Sequence, residues 1–305
     1  MSKPVVIESA INGGTPKSRN PNSPRSVEEI AADAVRAVDA GAAIVHNHND
    51  DQVIVPGGRT TAGWHNPQPY IDAWREVLSQ RPDTILYPTM GSGGPDSEIA
   101  VRYSHLPALN EAGVLGQGLI DPGCVGLGPA DEHGLPAPTD NVYINTYRDA
   151  RYMFETCQRM GRGASISIFE PGFLRVVLAY HAQGLVPQGS LVKLYFGGME
   201  RGPLGFGMFP TEPCLNAYLS MLEGTGLEWS VAILGGDCIG SGFARLALEK
   251  GGHLRVGLED FYQGDRTPTN TELVEEAVSL CDEVGRPVAS PSEARTLLGL
   301  PPSKA

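Results

Sequence analysis

Short runs of apolar, often β-branched residues alternate along the chain with segments in which apolar residues recur every three or four positions. The runs predict buried strands, and the longer segments predict amphipathic helices. This alternation repeats along the whole chain. The predicted strands cover residues 5–7, 42–45, 84–87, 115–120, 165–169, 191–196, 229–234 and 253–256.

The helix boundaries are marked by capping residues, prolines and glycines. Three serine or threonine residues each stand three positions before a glutamate, the spacing of a capping box in which the two residues bond each other's backbone N–H groups. These pairs are Ser26 with Glu29, Thr269 with Glu272 and Ser290 with Glu293. Further helices are predicted over 69–78, 97–111 with Ser97 as its cap, 146–160, 171–184 and 211–222, and one more ends at Lys250.

Eight strand–helix units without an intervening linker predict an α/β fold, with residues 1–305 forming a single closed (β/α)8 TIM barrel that ends in a C-terminal helix. An open parallel sheet is the alternative. In a barrel of this type the active site lies where the strands end and the βα loops begin. Polar residues at those positions are therefore the candidates for chemistry.

Two histidines follow the second predicted strand. His46 and His48 stand in the segment VHNHND. Side chains two positions apart on extended backbone point to the same side, so the two imidazoles converge. Such a pair suits Zn²⁺ or a similar divalent ion. The alternative is one buried, hydrogen-bonded histidine beside one exposed histidine.

The last predicted strand leads into the segment RVGLED. Glu259 and Asp260 point to opposite sides if the backbone stays extended, which would let one bind a metal while the other acts as a base. An ordinary solvated acidic turn is the alternative. Arg255 stands within the strand, where a guanidinium needs a carboxylate or an anionic ligand as its partner. Glu8 ends the first predicted strand and faces either the barrel mouth or solvent.

The overall charge narrows the class of partner. Lys plus Arg number 23 and Asp plus Glu number 35, which gives a net charge of −12. This argues against general binding to nucleic acid or to anionic membranes, because both need a basic surface. The chain has neither a membrane-spanning apolar stretch nor a signal-peptide pattern at its N-terminus. Its five cysteines are widely spaced without a CxxC motif, which is typical of reduced thiols in a cytoplasmic protein.

Three segments together resemble the β-keto acid cleavage enzyme family: VHNHND, GGHLRVGLED and the C-terminal GRPVASPSEAR. The resemblance extends over nearly the whole chain. It implies a (β/α)8 barrel with one Zn²⁺ bound by His46, His48 and Glu259. It also implies that Asp260 is the catalytic base and that Arg255 orients this base and stabilises charge.

The resemblance further implies an acyltransferase reaction. A β-keto acid and acetyl-CoA would yield acetoacetate and a new acyl-CoA, with no added redox cofactor. Members of the family are often tetramers, so we expect a homo-oligomer.

Three residues are expected to contact the substrate. Thr89 matches part of a serine–threonine pair in the family's third-strand loop. Thr15, in INGGTPK, aligns with a glutamate that receives the substrate's amino group in one member. An amino-bearing substrate is therefore expected to be poor, unless Glu8 supplies the missing carboxylate.

Two other classes of function remain open at this stage. The first is another metal-dependent barrel enzyme, such as a hydrolase or an aldolase; hydrolases of the amidohydrolase kind usually carry HxH on the first strand. The second is a non-catalytic barrel that binds a small molecule. Such a barrel would not need Arg255, Glu259 and Asp260 together at one strand end. Metal content and CoA-dependent turnover separate the three classes.

Overall fold

The protein is described by a computed structural model. It covers residues 2–49, 65–91, 97–126, 128, 131–133, 135–138, 142–198 and 207–302. The strands are β1 (Ile7–Ala10), β2 (Ile44–Asn47), β3 (Ile85–Pro88), β4 (Gly118–Ile120), β5 (Cys124–Gly126), β6 (Val142–Ile144), β7 (Ala164–Ile168), β8 (Leu191–Gly197), β9 (Trp229–Leu234) and β10 (His253–Val256).

Eight of these strands form one parallel sheet in the order β3-β2-β1-β10-β9-β8-β7-β4. Its two outer strands meet each other. The backbone N–H groups of Gly116 and Gln117 donate to the carbonyl of Leu86 at 2.8 and 3.2 Å. The sheet is therefore closed, and the predicted (β/α)8 barrel is confirmed. Whether residues 1–305 form one domain stays a prediction, because several segments lie outside the described residues.

Helices cover the outside of the barrel and pack their apolar faces on the strands. They are α1 (Val27–Ala40), α2 (Gln68–Gln80), α3 (Ile99–Arg102), α4 (His105–Glu111), α5 (Tyr147–Met160), α6 (Pro171–His181), α7 (Glu212–Leu222), α8 (Phe243–Glu249), α9 (Asn270–Val284) and α10 (Pro291–Leu298). In the part of the chain that the structure describes, every helix is too short or too polar to cross a membrane.

The three predicted capping boxes are confirmed at the starts of α1, α9 and α10. The single helix predicted over 97–111 is wrong, because α3 ends at Arg102 and α4 begins at His105. Pro107 explains the break: in a continuous helix its ring would clash with the carbonyl of Tyr103. The cap predicted at Ser97 is also wrong, since Glu98 precedes α3 without a side-chain cap.

The first two strands lie further along the chain than the apolar runs predicted. β1 ends at Ala10 and β2 ends at Asn47, so that Glu8 and His46 stand within strands and not after them. The apolar pattern stops early because the side chains that fill the barrel interior near the carboxyl ends of the strands, its upper layer, are polar. The polar residues that end the runs are those that face this layer.

A two-stranded antiparallel hairpin, β5 with β6, lies between the strand predicted over 115–120 and the helix predicted over 146–160, where the sequence predicted no element. Each strand has three residues, and only Val125 of β5 is buried. So short a strand gives no recognisable apolar run. The hairpin brings Tyr143 to the carboxyl end of β4, where its hydroxyl reaches Asp121.

Candidate active site

His46, His48 and Glu259 converge at the carboxyl end of the barrel. The Nε2 atoms of His46 and His48 each lie 3.2 Å from a different carboxylate oxygen of Glu259. One ligand atom from each residue lies within 4.8 Å of the other two. The histidines come from β2 and the loop after it, and Glu259 from the turn after β10. The sequence-predicted metal ligands therefore meet in space.

Neighbouring groups fix the orientation of both imidazoles. Nδ1 of His46 lies 3.3 Å from the carbonyl oxygen of Tyr87, which can only accept, so Nδ1 carries the proton and Nε2 keeps a lone pair. The ring of His46 also stacks on that of Tyr87 at 4.5 Å. Asn12 holds the backbone of His48, accepting from its N–H at 2.8 Å and donating to its carbonyl at 3.1 Å.

Glu259 lies in a tight turn. The extended backbone on which Glu259 and Asp260 would point to opposite sides is therefore absent here. Gly257 has a φ of +135° and starts the turn. The N–H of Glu259 then donates to the carbonyl of Ala10 at 3.1 Å. Gly13 packs so closely that a Cβ there would lie 2.1 Å from Cγ of Glu259. The turn and the glycine together fix the carboxylate against the two histidines.

The three side chains fit a divalent metal ion. Ligands about 2.0–2.1 Å from a tetrahedral ion lie about 3.3–3.4 Å from one another, close to the two 3.2 Å separations. Burial lowers the pKa of His46 to about 4, so this imidazole is neutral and able to ligate at neutral pH. Burial alone would raise the pKa of Glu259, but the charge of Arg255 helps to hold it well below its ordinary value. Two imidazoles and one carboxylate form a donor set typical of catalytic zinc.

Arg255 connects the site to the carboxylates below it. Its guanidinium makes a bidentate contact with Asp260 at 2.6 and 3.0 Å, and it lies 3.1 Å from Glu259. Nη1 donates to Glu8 at 2.7 Å. Arg255 lines a cavity beside His46, His48 and Glu259, whereas Asp260 lines a second, smaller cavity that Arg255 also borders. Burial raises the pKa of Asp260 despite the opposing charge of Arg255.

The interior below the site contains a second cation that the sequence analysis missed. Lys193 in β8 is buried, and its ammonium group donates to Glu8 at 3.2 Å, to the Tyr87 hydroxyl at 2.5 Å and to Ser165 at 2.8 Å. Tyr87 in turn donates to Glu8. A lysine inside the run LVKLYF is as unusual in a buried strand as Arg255, and the same argument would have identified it.

A cavity of about 170 Å³ opens beside His46, His48 and Glu259. Arg255, Lys193 and Thr89 line it close to these residues. Its remaining walls include residues that the sequence analysis did not single out as site residues: Asp121, Tyr143, Ser167, Phe169 and Tyr195. A small polar molecule therefore has a defined place next to the candidate metal ligands.

The structure separates the three residues predicted to contact substrate. Thr89 lines the cavity, and its substrate contact stays a prediction. Glu8 lies among Tyr87, Lys193 and Arg255 and faces neither solvent nor an open mouth. Thr15 is buried, and its hydroxyl donates to the carbonyl of Leu258 at 2.7 Å. Glu8 therefore lies below the site, hydrogen-bonded to residues that line the cavity. Thr15 lies beside the site, hydrogen-bonded to the turn that carries Glu259.

Glu8 gives the protein a defined dependence of stability on pH. Lys193 and Arg255 overcome the effect of burial and lower its pKa from 4.5 to about 2. Because the folded-state pKa is depressed, this stabilisation is present above the unfolded-state pKa and is lost as pH falls through the folded value. Between about pH 5 and about pH 3, wild type should lose about 2 kcal/mol more unfolding free energy than Glu8→Gln. Denaturant titrations of both proteins measure this difference, and parallel pH curves would contradict it.

Comparison with known proteins gives a consistent picture. Residues 4–300 match the family model of the β-keto acid cleavage enzymes. The chain is 30% identical over 307 residues to the 3-keto-5-aminohexanoate cleavage enzyme of Fusobacterium nucleatum, covering 98% of this chain and 99% of that protein. It is 27% identical over 309 residues to the 3-oxoadipate:acetyl-CoA acetyltransferase of Cupriavidus necator, covering 99% of this chain and 96% of that protein.

The fold is also similar to that of a solved structure, the apo structure of ObcA. The TM-score is 0.68 at 18% sequence identity, with 93% of this chain and 66% of that chain covered. At this level of identity the likeness supports the barrel architecture alone. The family match extends over almost all of the sequence, and the chain belongs to the β-keto acid cleavage enzyme family.

Proposed function

We propose that the protein is a zinc-dependent enzyme that cleaves a β-keto acid with acetyl-CoA, giving acetoacetate and a new acyl-CoA. The observation that carries this proposal is that His46, His48, Glu259 and Arg255 line one cavity, with Asp260 bound to Arg255 behind it. Zn²⁺ bound by these three residues would supply the Lewis acidity that polarises the keto oxygen and acidifies the neighbouring carbon.

The residues of the cavity wall bind and orient the β-keto acid. Arg255 presents a guanidinium to the cavity, the group best suited to bind a carboxylate. Thr89 offers a hydroxyl on the adjacent wall. Lys193 and Tyr87 donate hydrogen bonds to Glu8, which lies below the site. Glu8 therefore fixes Arg255 from the side opposite the substrate.

Asp260 is the proposed base that removes the proton from C2, between the carboxylate and the keto group. It lies behind Arg255 and shares two hydrogen bonds with it. The substrate carboxylate competes for these N–H donors, and turning the guanidinium toward the substrate frees Asp260 to accept the proton. Protonation then removes the negative charge of Asp260 and weakens its hold on Arg255.

The carbon–carbon chemistry follows from the carbanion at C2. This carbon attacks the acetyl carbonyl carbon of acetyl-CoA and expels the CoA thiolate. The thiolate then adds to the original keto carbon, and the bond between C2 and C3 breaks. The two carboxyl-end carbons leave joined to the acetyl group as acetoacetate, and the rest of the substrate leaves as its CoA thioester. The proton held by Asp260 returns to C2.

A metal-dependent hydrolase or aldolase could use the same ligand set, and the requirement for acetyl-CoA separates them. Zinc-loaded protein should convert a panel of β-keto acids only when acetyl-CoA is present, with acetoacetate and an acyl-CoA formed in equal amounts. Chromatography of the CoA esters and an enzymatic assay of acetoacetate measure both products. Cleavage that proceeds equally well without acetyl-CoA would refute the transferase reaction and favour the alternative.

We also propose that the protein acts in the cytoplasm as a homo-oligomer, a tetramer by analogy with its family. The five cysteines are all free thiols, which supports a reducing compartment. Light scattering on the purified protein measures the assembly state directly.

A further inference from the structure

A buried carboxylate forms the cavity wall away from the metal ligands. Asp121 follows the last residue of β4 and is only 8% exposed. Its carboxylate accepts a hydrogen bond from the Tyr143 hydroxyl at 2.5 Å, and Ser167 bonds it as well. All three residues line the cavity. The reaction proposed above assigns roles to the metal ligands, to Arg255 and to Asp260. It assigns none to the Asp121 carboxylate.

The barrel topology places Asp121 at the far end of the substrate. β4 and β10 are four strands apart in either direction around the barrel, through β3, β2 and β1 or through β7, β8 and β9. The ends of these two strands therefore lie on opposite walls. The proposed reaction places the keto acid end at Arg255 and the metal ligands, near β10, so the tail of the substrate would extend toward Asp121.

Aromatic rings complete this end of the cavity. Tyr143 and Phe169 meet edge to face at 6.0 Å. Phe169 also stacks at 4.6 Å on Tyr195, whose ring lies 5.4 Å from both Lys193 Nζ and Arg255 Cζ and so connects this end to the cationic side of the cavity. All three rings line the cavity. Aromatic rings beside a carboxylate are a typical binding site for an ammonium group, because both attract a cation.

The lysine that also lines the cavity does not reverse this preference. An ammonium group has three donors, and Lys193 already uses three, toward Glu8, Tyr87 and Ser165. An anionic tail would therefore have to displace one of these buried partners, among them the Glu8 carboxylate, to reach the ammonium group. Asp121, by contrast, accepts its hydrogen bonds from the neutral hydroxyls of Tyr143 and Ser167, and the charges of Lys193 and Arg102 act on it without a direct ion pair.

We propose that Asp121 determines specificity by binding an ammonium group on the tail of the β-keto acid. The inference rests on the proposed function and narrows its substrate class. It also changes the expectation drawn from Thr15, since a different carboxylate takes the place of the missing glutamate. An alkyl tail would leave the Asp121 carboxylate unpaired, and an anionic tail would be repelled by it.

Two substrates of equal shape test the proposal. 3-Keto-5-aminohexanoate carries an ammonium group where 5-methyl-3-oxohexanoate carries a methyl group. Wild type should favour the amino compound in kcat/KM by at least roughly 100-fold, because a site built to bind a polar group rejects an analogue without that group by about 10⁴-fold or more. Asp121→Asn should reduce this ratio by at least roughly 10-fold. Asp72→Asn makes the same chemical change on the exposed face of α2 and should leave the ratio unaltered.

Each outcome decides the matter. A wild-type preference for the methyl compound or for 3-oxoadipate, or an Asp121→Asn variant with an unchanged ratio, overturns the proposal. The wild-type ratio stands as a test even if the variant does not fold. Calorimetric binding of the two compounds to zinc-loaded protein without acetyl-CoA separates this inference from the reaction. If binding discriminates but no substrate turns over, the tail site holds and the reaction is wrong.

Discussion

Asp260→Asn is expected to lower kcat by roughly 100-fold or more while the protein keeps its fold and its metal. Asparagine has nearly the same shape and keeps one of the two acceptors that Asp260 offers to Arg255, but it cannot take a proton at neutral pH. The variant should also slow the exchange of the C2 proton of the β-keto acid with deuterated water in the absence of acetyl-CoA. NMR measures the exchange, and steady-state assays measure kcat.

A matched control lies five residues further along the same loop. Asp265 is exposed, and Asp265→Asn makes the same chemical change outside the site. Its kcat and exchange rate should equal those of wild type. If Asp260→Asn also exchanges the C2 proton at the wild-type rate, Asp260 is not the base, and its buried contact with Arg255 serves structure alone.

Replacing both His46 and His48 by alanine is expected to remove the metal and with it the activity. Wild type should contain about one zinc ion per chain, and the double variant should retain less than about a tenth of that, because a single carboxylate does not hold Zn²⁺ tightly. Elemental analysis of dialysed protein gives the occupancy, and circular dichroism confirms that the barrel is still folded.

His133 provides the control for this experiment. Its side chain is 75% exposed, so His133→Ala removes an imidazole far less buried than either proposed ligand. This variant should keep full zinc content and full activity. A double variant of His46 and His48 that also kept both would place the metal elsewhere or show that none is needed.

The candidate metal ligands could be predicted from two kinds of signal. His46 and His48 have the right residue type and the right spacing, whereas the choice of Glu259 over Asp260 came from the resemblance to the family. The closed barrel followed from the regular alternation of elements. For the histidine pair and the barrel, the residue types and their spacing are visible in the local sequence. The fold adds only the distance between the segments VHNHND and RVGLED.

Other parts of the site depend on contacts that local sequence does not contain. Glu8 and Lys193 are 185 positions apart, and only closure of the barrel shows that they neutralise each other. Thr15 is predicted to contact the substrate by its alignment with the family, but its hydroxyl donates to the carbonyl of Leu258. The role proposed for Asp121 depends on its contact with Tyr143. A hairpin too short to be recognised in the sequence brings Tyr143 back to the end of β4.

The fate of the acetyl group tests the central claim most directly. Zinc-loaded enzyme is incubated with a β-keto acid and acetyl-CoA carrying ¹³C at the acetyl carbonyl, and the products are followed by NMR. The account predicts that the label appears at the keto carbon of acetoacetate, while the unlabelled acyl group of the substrate becomes bound to CoA. Label that stays in acetyl-CoA or leaves as free acetate, while the β-keto acid is cleaved to a free acid, would contradict it.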